Sequence, residues 1–324
     1  MEQISPYYEY YAKALIRANS KSHIKLEEAI ECLKEALKYK KTEEAYRLLV
    51  NCCYKISDFE SSEKALLEAV EAGFKGLYPM CGNFYAAPTD RCNKEESLKY
   101  FKFGMDNKDP NAFYDLAIIY IRGSRAITPD HEKAMKILKE GLALNDYRFN
   151  GSLAFELANL YKEKEDWENA RVFYEKAIEF GNKESYIHLA AMYKYGYGVE
   201  VDTNKYAEYL LKNINKDSGY FIGELFSDNE CTPQNYDLAT YFLRYSANSG
   251  NGDACFLLAT FLAMQGNYNE KEVDTYFENA FKFGLNKLWF NGAYLKFVSY
   301  VDKRTQNKIK ELESRYWNLV RDQA

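Results

Sequence analysis

Residues 184–216 read ESYIHLAAMYKYGYGVEVDTNKYAEYLLKNINK, and this stretch decides the fold of the chain. Leu189, Ala190 and Tyr193 fall on one face of a helix, because the α-helix repeats about every 3.6 residues. A Gly-x-Gly-Val turn follows at positions 196–199, and such glycines serve turns that need a positive φ. A second amphipathic segment completes the stretch, which therefore predicts one helix–turn–helix hairpin.

Pairs of small residues, seven positions apart, recur where each such hairpin would have its second helix. Small side chains at this spacing let two helix backbones approach closely. Thirteen of the sixteen positions hold Ala, Ser or Gly, and the first members of successive pairs lie 33 to 37 residues apart. The eight pairs are Ala29/Ala36, Ser62/Ala69, Ser97/Gly104, Ala134/Gly141, Ala170/Ala177, Tyr206/Asn213, Ala239/Ser246 and Val273/Ala280. These pairs predict repeated hairpins with a period of about 35 residues.

The repeat spacing predicts an all-α protein, an α-solenoid of about nine helix–turn–helix repeats in a single domain over residues 1–324. One hairpin cannot bury both of its apolar faces, so neighbouring hairpins must stack into a continuous core. Eight hairpins are expected at 5–40, 43–73, 77–107, 110–146, 150–181, 184–216, 218–249 and 252–284. A less regular ninth pair of capping helices is expected at 288–321, which ends in an apolar stripe surrounded by charged residues.

Two variants of the hairpin resemble known repeats. Residues 150–181 look like a tetratricopeptide repeat, whose small and aromatic positions are matched by Ala158, Tyr161, Ala170, Tyr174 and Ala177. Residues 184–216 instead resemble a Sel-one-like repeat, whose longer loop carries the signature Gly-x-Gly-Val-x-x-Asp. Residues 110–146 are similar but lack the second glycine. The resemblance covers nearly the whole chain and implies a right-handed α-solenoid. It is specific for architecture and weak for function, since such repeats serve many unrelated processes.

The composition favours a folded, cytoplasmic protein that contacts neither membrane nor nucleic acid. The 43 basic and 48 acidic residues give a net charge of -5, whereas a non-specific nucleic-acid binder usually carries a basic stripe. The N-terminal stretch is charged throughout, unlike a signal peptide, and no run approaches the roughly 18 apolar residues of a membrane span. Seven cysteines without a C-x-x-C pair fit buried hydrophobes in a reducing compartment better than a disulfide framework.

No catalytic, metal or cofactor site emerges from the sequence. None of the three histidines has a metal-ligand spacing, and His188 is expected to edge the binding surface or to serve structurally. The Gly-x-Gly-Val turn follows no strand, which argues against a phosphate loop. Cys52 and Cys53 have no basic neighbour that would activate a thiol, so packing is favoured while a redox role stays open. We therefore expect a non-enzyme without a cofactor or a small-molecule substrate.

The resemblance to tetratricopeptide solenoids implies that the first helix of each hairpin lines a concave groove in which ligands bind. Counting from the small position of each first helix, the innermost residues lie one place after it and three places before it. The expected peptide-binding residues are Arg47, Asn51, Asn83, Tyr114, Ile118, Phe155, Asn159, Ile187, Tyr220, Glu224 and Phe256. Their apolar members could equally pack against neighbouring helices. An apolar floor flanked by amides nevertheless favours peptide capture.

The sequence thus favours a non-catalytic scaffold or adaptor that holds a peptide or protein surface in its groove. The alternative is a regulatory or inhibitory subunit that wraps a folded enzyme or toxin with its rim and edges. Acidic groove positions outnumber basic ones, so we expect a ligand with some basic character. The carboxylate clamp of chaperone-binding tetratricopeptide domains is approximated by Arg47 and Asn51 alone, because Met80 and Asp115 stand at later positions of the motif. Binding of a chaperone tail is therefore disfavoured.

One joint in the array is expected to be weak. Tyr206 and Asn213 replace the two small residues of the sixth hairpin, and the following segment is rich in polar residues. A buried Asn needs a hydrogen-bond partner or it costs stability. The sequence therefore predicts easier opening over residues 206–220.

Overall fold

The computed structural model describes residues 5–227, 236–264 and 269–284, together with Lys303 and Asn307. Across these ranges the secondary structure is helical, with sixteen α-helices and no strand. The chain divides into two compact units, Met1–Asn182 and Lys183–Ala324, which are described separately. The expected single domain over 1–324 stays a prediction, and the expected ninth pair at 288–321 lies outside the described helices.

The first unit contains ten α-helices, paired in sequence as five hairpins. They are α1 (Pro6–Ala18), α2 (His23–Tyr39), α3 (Glu43–Lys55), α4 (Phe59–Glu71), α5 (Tyr78–Ala86), α6 (Lys94–Asp106), α7 (Pro110–Arg122), α8 (His131–Leu142), α9 (Tyr147–Glu163) and α10 (Trp167–Glu179). Each helix packs against the next one along the chain, as a solenoid of stacked hairpins requires. A short 3-10 helix, Lys75–Leu77, leads into α5.

The second unit contains three further hairpins among its described residues. Their helices are α11 (Ser185–Tyr195), α12 (Thr203–Lys212), α13 (Lys216–Ser227), α14 (Tyr236–Asn248), α15 (Gly252–Met264) and α16 (Glu270–Phe283). The odd-numbered helices of both units are called first helices below, and the even-numbered ones second helices. In the described part of the chain, no helix combines the length and the apolar character needed to cross a bilayer.

A repeated hydrogen bond closes five of the hairpins. In each, the residue that caps the second helix donates its backbone N–H to a carbonyl near the end of the first helix, over 2.7 to 3.0 Å. The donor and acceptor pairs are Asp58 and Cys53, Asn93 and Tyr85, Asp130 and Tyr120, Asp166 and Tyr161, and Asp202 and Tyr193. The same Asp or Asn side chain also accepts a backbone N–H of the second helix. This double role explains why an acidic or amide residue recurs after each turn.

The small residues of the second helices lie at the close contacts between helices. Ala29, Ala36, Ala170 and Ala177 are fully buried, as are most of their counterparts. Small positions on first helices are equally tight: a Cβ added to Gly223 would lie 2.5 Å from Leu243 Cγ. Such a distance is far below van der Waals contact, so only glycine fits without repacking. The expected close approach of the two helices is confirmed.

The glycine turn of the sixth hairpin also has the expected conformation. Gly196 has φ +73° and ends α11 in the left-handed region, and Gly198 has φ +66°. Side chains other than glycine rarely adopt such φ values. The turn is therefore a structural element between two helices and follows no strand.

Two predicted boundaries are wrong by a few residues. The fifth hairpin begins at Tyr147 and not at 150, because the Asp146 carboxylate caps the helix by accepting the Arg148 N–H. Helix α13 begins at Lys216, which the sequence assigned to the hairpin before it. The Asn215 side chain accepts the backbone N–H groups of Asp217 and Ser218, and this cap starts the helix early.

Candidate functional site

The second unit has a cleft of about 440 Å³ on the side of its first helices. Its walls come from α11, α13 and the start of α15. The lining residues are Ile187, Lys194, Tyr195, Asp217, Tyr220, Phe221, Glu224, Asn251 and Asp253. Three of the expected binding residues, Ile187, Tyr220 and Glu224, are thus brought together from two different helices. The volume lies in the usual range of ligand-binding cavities.

Lys194 and Glu224 dominate the electrostatics of this cleft. Lys194 Nζ donates to Glu224 Oε2 over 3.0 Å, and about a third of each side chain is exposed. Burial by itself lowers the pKa of Lys194, but attraction to Glu224 and to the Tyr206 oxygen outweighs burial, so the pKa is raised. The ammonium also lies 5.3 to 5.7 Å from the ring centroids of Tyr195, Tyr206 and Phe221. The lysine is therefore positively charged and held within an aromatic box.

A second cavity of about 230 Å³ adjoins the first. Its lining residues are Ile187, His188, Ala191, Lys194, Tyr195, Tyr206, Leu210 and Phe221, most of which are apolar. Tyr206 holds one of the positions at which other hairpins have a small residue. Its side chain is 4% exposed, and its hydroxyl lies near the Lys194 ammonium without a hydrogen bond of regular geometry. Burial raises the pKa of Tyr206, while the positive charge of Lys194 opposes the rise.

The first unit has a smaller pocket between α3 and α5, with a volume of about 260 Å³. Two expected binding residues, Asn51 and Asn83, line it together with Val50, Tyr54, Met80, Phe84 and Ala87. Asn83 Nδ2 donates to Asp115 Oδ2 over 2.7 Å. The pKa of Asp115 is raised by burial, which outweighs the opposing hydrogen bond from Asn83. One amide of the expected Asn series is thus already engaged by its neighbouring hairpin.

The other expected residues of the first unit lie on the first helices α3, α7 and α9. Arg47 is exposed and donates to Glu43 Oε1 over 2.8 Å and to the Gly76 carbonyl over 3.0 Å. Asn159 accepts a hydrogen bond of 2.6 Å from the Tyr174 hydroxyl. The half-buried Phe155 ring stands 6.0 Å from the Tyr174 ring. Two further expected residues, Tyr114 and Ile118, are half-buried.

Phe256 does not lie on a surface. Its side chain is 1% exposed, and its ring packs edge-on against Phe277 at 5.6 Å between centroids. Helix α15 is buried on most of its sides, so the position that faces outward on other first helices faces the core here. Tyr220 is also 95% covered, but it still contributes to the cleft wall. The expectation that Phe256 offers a pocket for a ligand is therefore not supported by its position.

The sequence interpretation did not select Tyr195, Phe221 and Asn251, which line the cleft, or Tyr206, which lines the apolar pocket. Tyr206 carried a signal, because a large residue interrupts an otherwise regular series of small ones. That interruption indicated a weak joint, but it also marks where a pocket wall replaces a close helix contact. His188, expected at the edge of the binding surface or in a structural place, does line the apolar pocket.

Clusters of metal-binding side chains and the reactivity of the thiols bear on whether the described ranges hold a metal or catalytic centre. No group of three or more His, Cys, Asp or Glu side chains there could hold a metal ion. Burial raises the pKa of Cys52, and it raises that of Cys53 to about 12. A thiol with a raised pKa is protonated at neutral pH and is a poor nucleophile. The packing interpretation of this cysteine pair therefore agrees with its surroundings.

The chain has the fold of Sel1 repeat proteins. The crystal structure of a Sel1 repeat protein from Oxalobacter formigenes superposes with a TM-score of 0.63 at 19% identity, over 90% of this chain and 87% of that one. The crystal structure of c5321, a protective antigen of uropathogenic Escherichia coli strains with an SLR fold, gives a TM-score of 0.59 at 18% identity. That comparison covers 96% of this chain and 67% of the other. No family model and no curated protein matches the sequence.

Proposed function

We propose that this chain is a non-catalytic protein-interaction scaffold that holds a polypeptide segment on its first helices. The observation that carries the proposal is the cleft of the second unit. There, consecutive first helices supply carboxylates, an amide and aromatic rings to one cavity of about 440 Å³. Solenoids of helical repeats commonly bind partners along such a surface. Aromatic side chains in pockets are where binding energy usually concentrates.

The chemistry of the first helices suits a polypeptide better than a nucleic acid or a reacting small molecule. The cavities combine apolar walls with polar groups that both donate and accept, such as Asn51 and Asn83. The cleft carries more acidic than basic side chains, which repels phosphate groups. No nucleophile, base and orienting group meet in either cavity of the second unit as described.

The proposal is tested by capturing partners with the tagged full-length chain and with two surface variants. One variant, Asn51→Arg with Asn83→Arg, blocks the pocket of the first unit, and Ala191→Trp fills the apolar pocket of the second. The matched control is Lys136→Ala, an exposed change on the second helix α8. A partner retained by the control and lost with either surface variant supports the proposal. A partner retained by both variants and lost with second-helix changes would contradict it and favour a subunit that wraps a folded protein.

A further inference from the structure

The two cavities of the second unit are chemically different and directly adjoining. They share four lining residues, which are Ile187, Lys194, Tyr195 and Phe221. The larger cavity is lined by polar and charged groups, and the smaller one mostly by apolar groups. A ligand that fills both must therefore present two kinds of side chain close together.

The larger cavity has an excess of negative charge. Asp217 and Glu224 contribute two carboxylates, and Lys194 contributes one ammonium, so these three side chains have a net charge of minus one. Lys194 is matched with Glu224 at 3.0 Å. The amide of Asn251 donates to Asp217 Oδ1 over 3.2 Å, which orients that carboxylate without neutralising it. A cationic side chain is the complementary occupant.

The aromatic rings around the cleft suit the same occupant. Tyr220 and Phe221 pack edge-on at 5.1 Å between centroids, and Phe221 lines both cavities. Rings in such a site attract an ammonium or a guanidinium group through their faces. Lys194 itself already uses three rings in this way, so the local environment accepts a cation. Rings and carboxylates together discriminate a basic side chain from a neutral one.

The smaller cavity contains a buried polar atom, the Tyr206 hydroxyl, which lies near the Lys194 ammonium. This hydroxyl stands within a mostly apolar lining and makes no hydrogen bond of regular geometry. Leaving such a group without a well-aligned partner destabilises the protein. A peptide carbonyl or N–H entering beside an apolar side chain would supply that partner.

We infer that the second unit binds a peptide segment in which an Arg or Lys side chain neighbours a large apolar side chain. The basic group occupies the larger cavity beside Asp217, and the apolar group occupies the smaller one beside Ala191. The peptide backbone then pairs with the Tyr206 hydroxyl. This inference rests on the proposed function and specifies the chemistry of the partner.

The test uses random peptides of about ten residues, displayed on phage and selected on the immobilised full-length chain. Selected sequences are expected to be enriched in a basic residue next to Leu, Ile, Met or Phe. Synthetic fluorescent copies then give dissociation constants by anisotropy. Exchanging the basic residue of a selected peptide for Glu, or its apolar residue for Ser, should weaken binding at least about 10-fold.

Variants of the chain locate the binding. Asp217→Asn, and separately Ala191→Trp, are each expected to weaken binding of the selected peptide at least about 10-fold. Tyr206→Phe should weaken the affinity for the selected peptide by about 3- to 10-fold, since one hydrogen bond to the peptide is lost. The matched control is Glu278→Gln, which removes an exposed carboxylate from α16, outside both cavities. It should leave the dissociation constant unchanged.

Three results would overturn the inference. They are selection of acidic or uncharged sequences, unchanged affinity for Ala191→Trp, and no selected peptide at all. In the first two cases, the variant Asn51→Arg with Asn83→Arg is tested as well. If that variant no longer binds the peptide, the proposed function stands and the binding site lies in the first unit. In the third case the partner-capture experiment decides the proposed function on its own.

Discussion

Lys194 on α11 donates a hydrogen bond of 3.0 Å to Glu224 on α13, so one ion pair joins two consecutive first helices. The pair lies on the wall of a cleft, and three aromatic rings surround the ammonium. Neither residue belongs to the small-residue pattern that builds the solenoid. The pair therefore couples the stability of the second unit to the shape of its candidate binding surface.

Breaking this pair from one side should destabilise the protein. Glu224→Gln leaves a partly buried ammonium without its countercharge, so the free energy of unfolding should fall by about 1–3 kcal/mol. Lys194→Met together with Glu224→Gln should recover part of that loss, because the charge is removed along with its partner. Urea unfolding of the wild type, both single variants and the double variant gives the coupling energy. A coupling energy of zero would show that the pair contributes nothing.

The close contact at Gly223 can be tested by adding one methyl group. Gly223→Ala would place a Cβ 2.5 Å from Leu243 Cγ, so we expect a loss of about 1–3 kcal/mol from overpacking. The compensating variant, Gly223→Ala with Leu243→Ala, should relieve the clash. Its remaining loss of stability should come only from the cavity that the shortened Leu243 side chain leaves. Thermal unfolding of both variants checks this. A stable Gly223→Ala protein would mean that the two helices lie further apart.

A larger side chain at a small-residue position of the first unit should also destabilise the protein. Ala170→Leu should cost about 1–3 kcal/mol, because this alanine is fully buried in a tight helix contact. Glu168→Leu, on an exposed position of the same helix, is the matched control and should have little effect. The free energy of unfolding is measured in denaturant. Equal stability of the two variants would contradict the close packing of α10.

Stability should fall in alkaline solution through buried tyrosines. Burial, reinforced by Cys81 and Glu96, raises the pKa of Tyr100 to about 12, whereas an unfolded tyrosine titrates near about 10. Between these pH values the unfolded state binds fewer protons than the native state, so stability decreases as pH rises, by at most about 1.4 kcal/mol per pH unit for this group. Below about pH 10 the contribution of Tyr100 to the free energy of unfolding is constant.

Tyr100→Phe isolates this contribution. The variant should lose less stability than the wild type between about pH 10 and pH 12, since its side chain cannot ionise. Tyr8→Phe, an exposed tyrosine, serves as the control and should follow the wild type. Denaturant titrations at several pH values give the slopes. Identical slopes for Tyr100→Phe and the wild type would show that Tyr100 titrates normally.

Two side-chain hydrogen bonds hold the segment in which the sequence predicts a weak joint. Helix α12 ends at Lys212, and Asn213 Nδ2 donates to the Lys183 carbonyl over 2.9 Å. The Ser218 hydroxyl donates to the Asn213 carbonyl over 2.7 Å. These few side-chain bonds replace a full helical turn, so we expect residues 206–220 to exchange amide hydrogens before their flanks do.

Removal of one of these bonds should accelerate that exchange. Asn213→Ala loses the bond to Lys183 and should shorten the protection of residues 206–220, as measured by hydrogen exchange with mass spectrometry. Asn204→Ala, at an exposed position of α12, is the matched control. Uniform protection across the segment in all three proteins would rule out a weak joint there.

Local chemistry explains why the hairpins could be read from the sequence. Positions such as Ala170 and Gly223 are restricted by close helix packing, and Gly196 by its positive φ. A cap such as Asp202 acts within a few residues of its own position. These constraints repeat with every hairpin, so periodicity alone reveals them.

The candidate site depended on tertiary structure, because its residues are far apart in sequence and meet only when hairpins stack. The same register position is a cleft wall at Glu224 but core at Thr260, since α15 is covered on more sides than α13. Asn83 was expected to face a ligand, yet its side-chain amide donates a hydrogen bond to Asp115 of the next hairpin. Whether an outward position is covered is decided by the neighbouring helices, and no local pattern records it. The sequence alone determined the repeat, its turns and its caps, whereas stacking decided which of the exposed side chains share a cavity.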